Sequence, residues 1–112
     1  MDGRSLLPVI SNPALTSWRR RFLVEHWAVD VTPMGVHDIP DFAALRTGPL
    51  TYVEYDDGPQ SREFYDTSVD PYQMTSLHND SSADRTSQRQ ILSQWLAALK
   101  TCGGGSCQTF EF

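Results

Sequence analysis

Carboxylates concentrated in the middle of the chain are the largest set of side chains here that could do chemistry. Residues 22–84 contain twelve of the fourteen Asp and Glu residues but only two of the nine basic residues, a formal balance of −10. Residues 1–21 carry +3 and residues 85–112 carry +2. A segregated field of this kind attracts a positively charged partner and speeds association with it, increasingly so at low salt. The pattern predicts an acidic binding surface.

Tyrosines lie close to these carboxylates, and tyrosine is a frequent anchor residue in protein interfaces. We therefore expect a non-catalytic binding or regulatory module that engages a basic protein partner, of the inhibitor, immunity or accessory-protein type. The expected partner-binding residues are Asp38, Asp41, Glu54, Asp56, Asp57, Glu63, Asp66, Tyr52, Tyr55 and Tyr65.

A basic run between two aromatic residues, Trp18 and Phe22, is a second candidate site. Successive residues of a helix turn by about 100°, so three adjacent arginines cannot all face one ligand, although two can flank the aromatic stripe. An anion site formed by Arg19, Arg20, Arg21 and Trp18 would suit phosphate and gives nucleic-acid binding as the alternative function. A net charge of −5 argues against general affinity for nucleic acid. The plainer interpretation is a solvated face whose aliphatic stems cover aromatic rings.

Histidine offers a third function, a small metal- or His-dependent hydrolase. His26, His37 and His78 lack the spacing of a metal-binding helix or of a Cys/His zinc site, so they would have to meet through the fold. The sequence has no phosphate-binding loop, nucleophile elbow or kinase signature. We therefore expect no catalytic residues, no metal site and no cofactor.

Two cysteines flank a short glycine-rich stretch, Cys102 to Cys107. Three glycines let the ends meet, so a disulfide is sterically possible, but free thiols at a flexible turn are expected in a reducing compartment. No apolar run approaches the roughly 18 residues that cross a bilayer, and Pro8 interrupts the apolar stretch near the start. These features predict a cytoplasmic protein that does not contact a membrane.

The N-terminal third is expected to form a short strand over Leu6–Ile10 and then a helix. Asn12 and Pro13 are the residue types of a helix start, with Asn as the N-cap and Pro in the first turn. Apolar residues then recur at helical spacing, which favours a helix to about His26. The run Phe22–Val31 is rich in β-branched and aromatic residues, so a strand is the alternative there.

The middle of the chain is predicted to contain a short helix over residues 38–48, closed by Gly48. Two strand-like runs follow, Leu50–Tyr55 and Arg62–Thr67, and the six residues between them are dense in turn formers. This pattern predicts a β-hairpin. Residues 68–82 are polar and are expected to form a flexible surface loop.

The C-terminal third has the strongest local signal. Ser81 and Asp84 have capping-box spacing, and apolar residues at helical intervals continue to Leu99. Gly103 is expected to end this helix, and Gln108–Phe112 alternates as a half-buried strand does.

With 112 residues, 39% hydrophobic content and a mean hydropathy of −0.40, the chain is expected to be one globular domain over residues 1–112. The element order predicts the α+β class, an antiparallel sheet with helices on one face in a ferredoxin-like βαββαβ arrangement. A sheet covered on one side only leaves a face or an edge that could pair with a second copy, so a homodimer is also expected.

Overall fold

Four consecutive strands form one antiparallel sheet in the order β1-β2-β3-β4. The computed structural model describes residues 4–27, 40–58 and 60–110. The elements are α1 (Leu7–Ser11), β1 (Arg21–His26), β2 (Phe42–Thr47), β3 (Leu50–Tyr55), β4 (Arg62–Asp66), α2 (Ala83–Thr101) and α3 (Gly105–Phe110). The predicted α+β class is confirmed. The ferredoxin-like arrangement is not, because the four strands follow one another without an intervening helix in the described residues.

The core lies between α2 and one face of the sheet. Strand register places Leu23, Leu45, Tyr52 and Phe64 in one row across all four strands. The last three are fully buried, and α2 packs on them through a stripe of leucines. Alternation along each strand sends every second side chain to this face, so one amphipathic helix is enough to complete a core. The leucines of this stripe are Leu92, Leu96 and Leu99.

The opposite face of the sheet, which we call the open face, carries a mixed apolar and polar surface. Phe22 and Val24 are 39% and 44% exposed on it, whereas Ala44 and Val53 beside them are buried. The helix α2 packs on the other face of the sheet. The open face comprises Phe22, Val24, His26, Phe42, Ala44, Arg46, Thr51, Val53, Tyr55, Glu63 and Tyr65.

Thr51 provides a test of this packing. Its Oγ1 is buried and has no hydrogen-bond partner among the described residues. Burying a hydroxyl without a partner is unfavourable, so Thr51→Val should raise the free energy of unfolding by about 1 kcal/mol. Urea denaturation measures the change. Thr67→Val is the control and should be destabilising, because the Thr67 hydroxyl donates to the carbonyl of Pro49 (3.0 Å). Equal effects of both substitutions would contradict this account.

The predicted helix from Asn12 to about His26 is wrong. Asn12 opens a turn, in which its carbonyl accepts from the Leu15 amide (3.0 Å), and residues 21–26 form β1. The strand alternative was therefore correct up to His26, because Leu23 pairs with Leu45 and gains core contacts that a surface helix would lack. The strand predicted over Leu6–Ile10 is also wrong, since Pro8 lies in the first turn of α1.

The predicted short helix over residues 38–48 is wrong as well, because Phe42–Thr47 is β2. Its residues pair with neighbouring strands on both sides, and Ala43 and Leu45 are buried in the core that α2 covers. Gly48 instead forms the β2–β3 turn with a φ of 52°, a conformation that favours glycine. The predicted hairpin is confirmed as β3 and β4.

The long C-terminal helix is confirmed as α2, with Ser82 at its N-cap. The strand predicted over Gln108–Phe112 is wrong, since Gly105–Phe110 is α3. Cys102 and Cys107 form a disulfide, which corrects the expectation of free thiols, and Gly104 rather than Gly103 has the positive φ of 55°. The disulfide links the end of α2 to α3, and α3 packs against α2 rather than against the sheet.

Residues 67–82 contain neither helix nor strand. Asp70 organises this segment, because its carboxylate accepts from the amides of Met74 (3.1 Å) and Thr75 (2.9 Å). None of the helices in the described ranges has the length and apolar composition that a bilayer crossing requires.

Candidate functional site

A cleft of about 200 Å³ opens where β2 begins and β3 ends, beside the C-terminal part of α2. We call it the sheet-end cleft. The chain reaches it from three separate places, namely the residue after β1, the antiparallel ends of β2 and β3, and the exposed side of α2. The side chains that give it chemical character are Trp27, Asp41, Glu54, Tyr55, Asp56 and Lys100.

Glu54 is held in place from beneath the cleft. Its Oε1 accepts from the Tyr52 hydroxyl (2.8 Å) and from the Ser93 hydroxyl of α2 (2.7 Å). Burial, together with the hydrogen bond to Glu54, raises the pKa of Tyr52 to about 12. Tyr52 therefore stays protonated and remains a donor at neutral pH, which fixes the position of the Glu54 carboxylate.

An aromatic row adjoins the cleft on the open face. The rings of His26 and Phe42 are stacked with centroids 5.4 Å apart, and Phe42 lies 5.7 Å from Tyr55. The Tyr55 and Tyr65 hydroxyls each donate to Glu63 at 2.8 Å. Burial and this carboxylate raise the pKa of Tyr55 to about 12. The ring of Tyr55 is thus anchored through its hydroxyl while it forms part of the cleft wall.

The acidic surface predicted from the sequence is divided by the fold. Asp41, Glu54, Asp56 and Tyr55 meet at the sheet-end cleft, but the other five predicted residues that the structure describes do not. Tyr52 is in the core, Asp66 is buried in an ion pair, and Glu63 and Tyr65 lie on the open face. Asp57 lines a separate shallow depression, and Asp38 lies outside the described residues.

Asp66 supports the loop and helix that follow β4. It accepts from the Arg85 guanidinium at 2.8 Å and from the backbone and hydroxyl of Ser68. These hydrogen bonds, chiefly those from Ser68 and Arg85, lower the pKa of Asp66 below its usual 3.8.

This shift has a definite consequence for stability against pH. Because the folded pKa is the lower one, the stabilisation by Asp66 is complete above the unfolded value of 3.8 and is lost as pH falls through the folded pKa. Urea unfolding of the wild type and of Asp66→Asn should therefore differ above pH 5 and converge towards pH 2. A difference that stays constant across this range would contradict the assignment.

The predicted anion-binding residues do not converge on one ligand site. Arg21 lies with its guanidinium 3.9 Å from the Trp95 ring centroid and donates to the Phe110 carbonyl (3.0 Å). Trp18 is half-buried beneath the guanidinium of Arg4. Arg19 lines a second groove of about 350 Å³ with Lys100 and the disulfide. Within the basic run, Arg21 therefore ties β1 to the C-terminal helices, and Arg20 is exposed.

The two histidines that the structure describes contact different neighbours. His26 stacks on Phe42, His78 Nδ1 lies 2.9 Å from the Ser76 hydroxyl, and His37 falls outside the described residues. Within the ranges that the structure describes, no group of three or more His, Cys, Asp or Glu side chains is placed to hold a metal ion.

Trp27 and Lys100 are the cleft residues that sequence reasoning missed. They are 73 positions apart, and neither belongs to a motif. The available signal was the β-branched and aromatic character of Phe22–Val31, which predicted a strand there only as the alternative to a helix.

The comparisons with known proteins found similarities in sequence and in fold. The chain is 27% identical over 136 residues to human N-acetylglucosamine-6-sulfatase, in an alignment that covers 97% of this chain and 24% of that protein. Its fold is similar to part of BT4656, solved in complex with its substrate D-glucosamine-2-N,6-O-disulfate, with a TM-score of 0.71 and 19% identity over 96% of this chain and 20% of the other. No family model matches the sequence.

These findings overturn the functional expectation from the sequence. The sequence match to human N-acetylglucosamine-6-sulfatase includes 97% of the chain, whereas the likeness to BT4656 shows the fold alone. The expectation of a non-catalytic regulatory module that binds a basic protein is therefore wrong. The chain spans about a quarter of the length of the curated relative and a fifth of the solved structure.

Proposed function

We propose that this chain is one domain of a sulfatase-type enzyme that acts on a sulfated amino sugar. The observation that carries the proposal is the match of 97% of the chain to N-acetylglucosamine-6-sulfatase. The similarity of the sheet and helix to BT4656 supports it at the level of fold. Because the matches cover a quarter or less of these enzymes, the activity would reside in an assembly of this domain with further sequence.

The open face supplies the surface on which such an assembly could form. Phe22 and Val24 are large apolar residues that remain partly exposed on it, next to the nearly buried Ala44 and Val53. Arg46, on the same face, adds a charged group to this surface. An apolar centre with polar surroundings is typical of surfaces that pack against other protein. We propose that the open face docks on the remainder of the enzyme.

The homodimer expected from the sequence would use the same face or the exposed edge of β1. Light scattering shows whether the isolated chain forms a dimer, because a chain that does not pair has a mass of 12.6 kDa. If the open face serves docking on the enzyme, Val24→Asp should reduce any self-association of the isolated chain. Self-association that persists unchanged in that variant would place the contact elsewhere.

The disulfide bears on the compartment in which this protein works. Disulfides persist in oxidising compartments and are uncommon in the cytoplasm, so the Cys102–Cys107 bridge favours an oxidising compartment over the cytoplasmic location expected from the sequence. It closes a loop of sequence separation 5 and holds α3 against the end of α2.

Removing the bridge gives a prediction for stability. Replacing Cys102 and Cys107 together by Ser should lower the free energy of unfolding by about 2 kcal/mol, since a cross-link over a short loop restricts the unfolded chain. Urea denaturation without reductant measures the loss, and wild type treated with reductant should behave like the double variant. Two reactive thiols in native, unreduced wild type would contradict the bridge.

Capture of the native protein tests the domain assignment. An antibody against this chain would be used to isolate the protein from its source cells, and mass spectrometry would identify the recovered polypeptides. We expect sequence related to the remaining part of N-acetylglucosamine-6-sulfatase, either in the same polypeptide or in a tightly bound one. Recovery of a 12.6 kDa chain with no sulfatase sequence would refute the proposal.

A further inference from the structure

We propose that Asn79 is a modification site and carries an N-linked oligosaccharide. The sequence Asn79-Asp80-Ser81 has the pattern Asn-X-Ser/Thr, with a residue other than proline in the middle, which is the acceptor motif for this modification. The inference depends on the oxidising compartment proposed above. It is independent of the assignment to a sulfatase-type enzyme.

The motif occurs once in this chain. The only other asparagine is Asn12, and Pro13 follows it directly, which excludes Asn12 as an acceptor. A pattern of three residues also arises by chance, so the position of Asn79 in the fold and the compartment of the protein must both be compatible with a glycan.

Asn79 lies on the surface, in an ordered turn just before α2. The residue is exposed, and the turn is closed by the Asp80 amide, which donates to the Leu77 carbonyl (3.1 Å). Leu77 is itself held in place, because its amide donates to the Phe64 carbonyl of β4 (2.6 Å) and its carbonyl accepts from the Arg89 guanidinium (2.9 Å). A glycan on Asn79 would therefore extend into solvent from a fixed point.

The two side chains that the motif requires do not hold the fold together. Among the described residues, none forms a hydrogen bond with the Asn79 side-chain amide or with the Ser81 hydroxyl, and Ser81 is exposed as well. Asp80, which lies between them, accepts instead from the Ser82 amide (2.9 Å). Attachment of a glycan to Asn79 would thus remove no hydrogen bond from the folded domain.

The disulfide is a separate observation that indicates the same cellular compartment. Cys102 and Cys107 form a bridge at the far end of α2 from Asn79, and such bridges form and persist in the lumen of the endoplasmic reticulum and in secreted proteins. N-linked oligosaccharides are transferred in that same lumen. The acceptor motif and the bridge therefore fit one route through the cell.

The transfer step needs no oxidant or reductant. The donor is an oligosaccharide linked to a polyprenyl pyrophosphate, and Nδ2 of Asn79 attacks the anomeric carbon of its first sugar. A carbon–nitrogen bond forms while the bond between this carbon and the pyrophosphate oxygen breaks. The lipid pyrophosphate leaves with the electron pair of that bond, and the amide nitrogen loses one proton.

Peptide mass spectrometry of the native protein tests the inference. The captured protein would be digested with trypsin, which releases Asn79 in the peptide Glu63–Arg85, and then treated with an N-glycosidase in ¹⁸O-labelled water. We expect a glycan mass on the untreated peptide and an ¹⁸O-labelled aspartate at position 79 after treatment. A peptide without detectable glycan before treatment and without label after it would overturn the inference.

Matched serine variants separate the acceptor motif from local folding. Ser81→Ala should lower the glycosylated fraction more than tenfold, because it removes the hydroxyl that the motif requires, and Ser81→Thr should retain the glycan. Ser82→Ala is the control, since it removes the same group one residue later, at the N-cap of α2, and should change the glycosylated fraction less than twofold. Equal losses in Ser81→Ala and Ser82→Ala, or a glycan that persists in Asn79→Gln, would contradict the assignment.

The outcome can be distinguished from that of the proposed function. An unmodified peptide from a protein that releases sulfate would overturn this inference and leave the proposed function standing. A glycosylated chain recovered without sulfatase sequence would do the reverse.

Discussion

If the chain is part of a sulfatase-type enzyme as proposed, replacing Val24 by Asp should reduce sulfate release by the native protein to less than a tenth of the wild-type rate while leaving the isolated chain folded. Val24 is 44% exposed on the open face, so a charge there is tolerated as long as this face is in water. Docking on the rest of the enzyme would bury that charge without a partner, which costs several kcal/mol. Circular dichroism should show that the isolated variant chain is folded, and urea denaturation should show that its free energy of unfolding falls by no more than about 1 kcal/mol.

Ser87→Asp is the control for this prediction. Ser87 lies on the exposed surface of α2, and α2 covers the opposite side of the sheet. The added charge is the same, so general electrostatic effects are matched. Equal activity of Val24→Asp and Ser87→Asp in the native protein would show that the open face is not a docking surface.

Phe64→Ala is expected to destabilise the chain by about 4 kcal/mol, the typical cost of removing a buried phenylalanine side chain. Phe64 is fully buried at the β4 end of the row across the sheet, and its ring meets that of Tyr52 edge to face with centroids 6.4 Å apart. The Arg85 guanidinium lies 5.9 Å from its centroid. Since small domains are stable by about 5 to 15 kcal/mol, the variant should be close to its unfolding transition.

Urea denaturation of wild type and variant measures this loss directly. Tyr72→Ala is the matched control, because Tyr72 is an aromatic residue that is 86% exposed, and it should change the stability by less than about 0.5 kcal/mol. A loss below 1 kcal/mol for Phe64→Ala would mean that the core is not centred on this row.

The elements that could be predicted are those whose signal is local. α2 shows helical spacing of apolar residues after a serine N-cap, and the β3–β4 hairpin has turn formers between two strand-like runs. β2 was missed and β1 was predicted only as the alternative to a helix, because Gly48 fits a helix end and a turn equally well and Asn12-Pro13 resembles a helix start. The pairing of Leu23 with Leu45 favours strands for both segments, and this long-range contact is not visible in the local sequence pattern.

The candidate site was predictable only in part, for the same reason. Asp41, Asp56 and Tyr55 could be named from the concentration of carboxylates and tyrosines. Trp27 and Lys100 come to the cleft from the end of β1 and from α2, so only the assembled sheet and helix bring them together. Charge density along the sequence also could not show that Asp56 lines the cleft whereas Asp66 forms an ion pair with Arg85.

Release of inorganic sulfate from N-acetylglucosamine 6-sulfate by the native protein is the most direct test of the central claim. The wild-type protein, captured from its source cells under non-reducing conditions, would be assayed beside a mock capture and beside the Val24→Asp protein. We predict sulfate release well above the mock capture and a loss of more than tenfold in Val24→Asp. Release no greater than that of the mock capture, from this substrate and from D-glucosamine-2-N,6-O-disulfate alike, would contradict the assignment to a sulfatase-type enzyme.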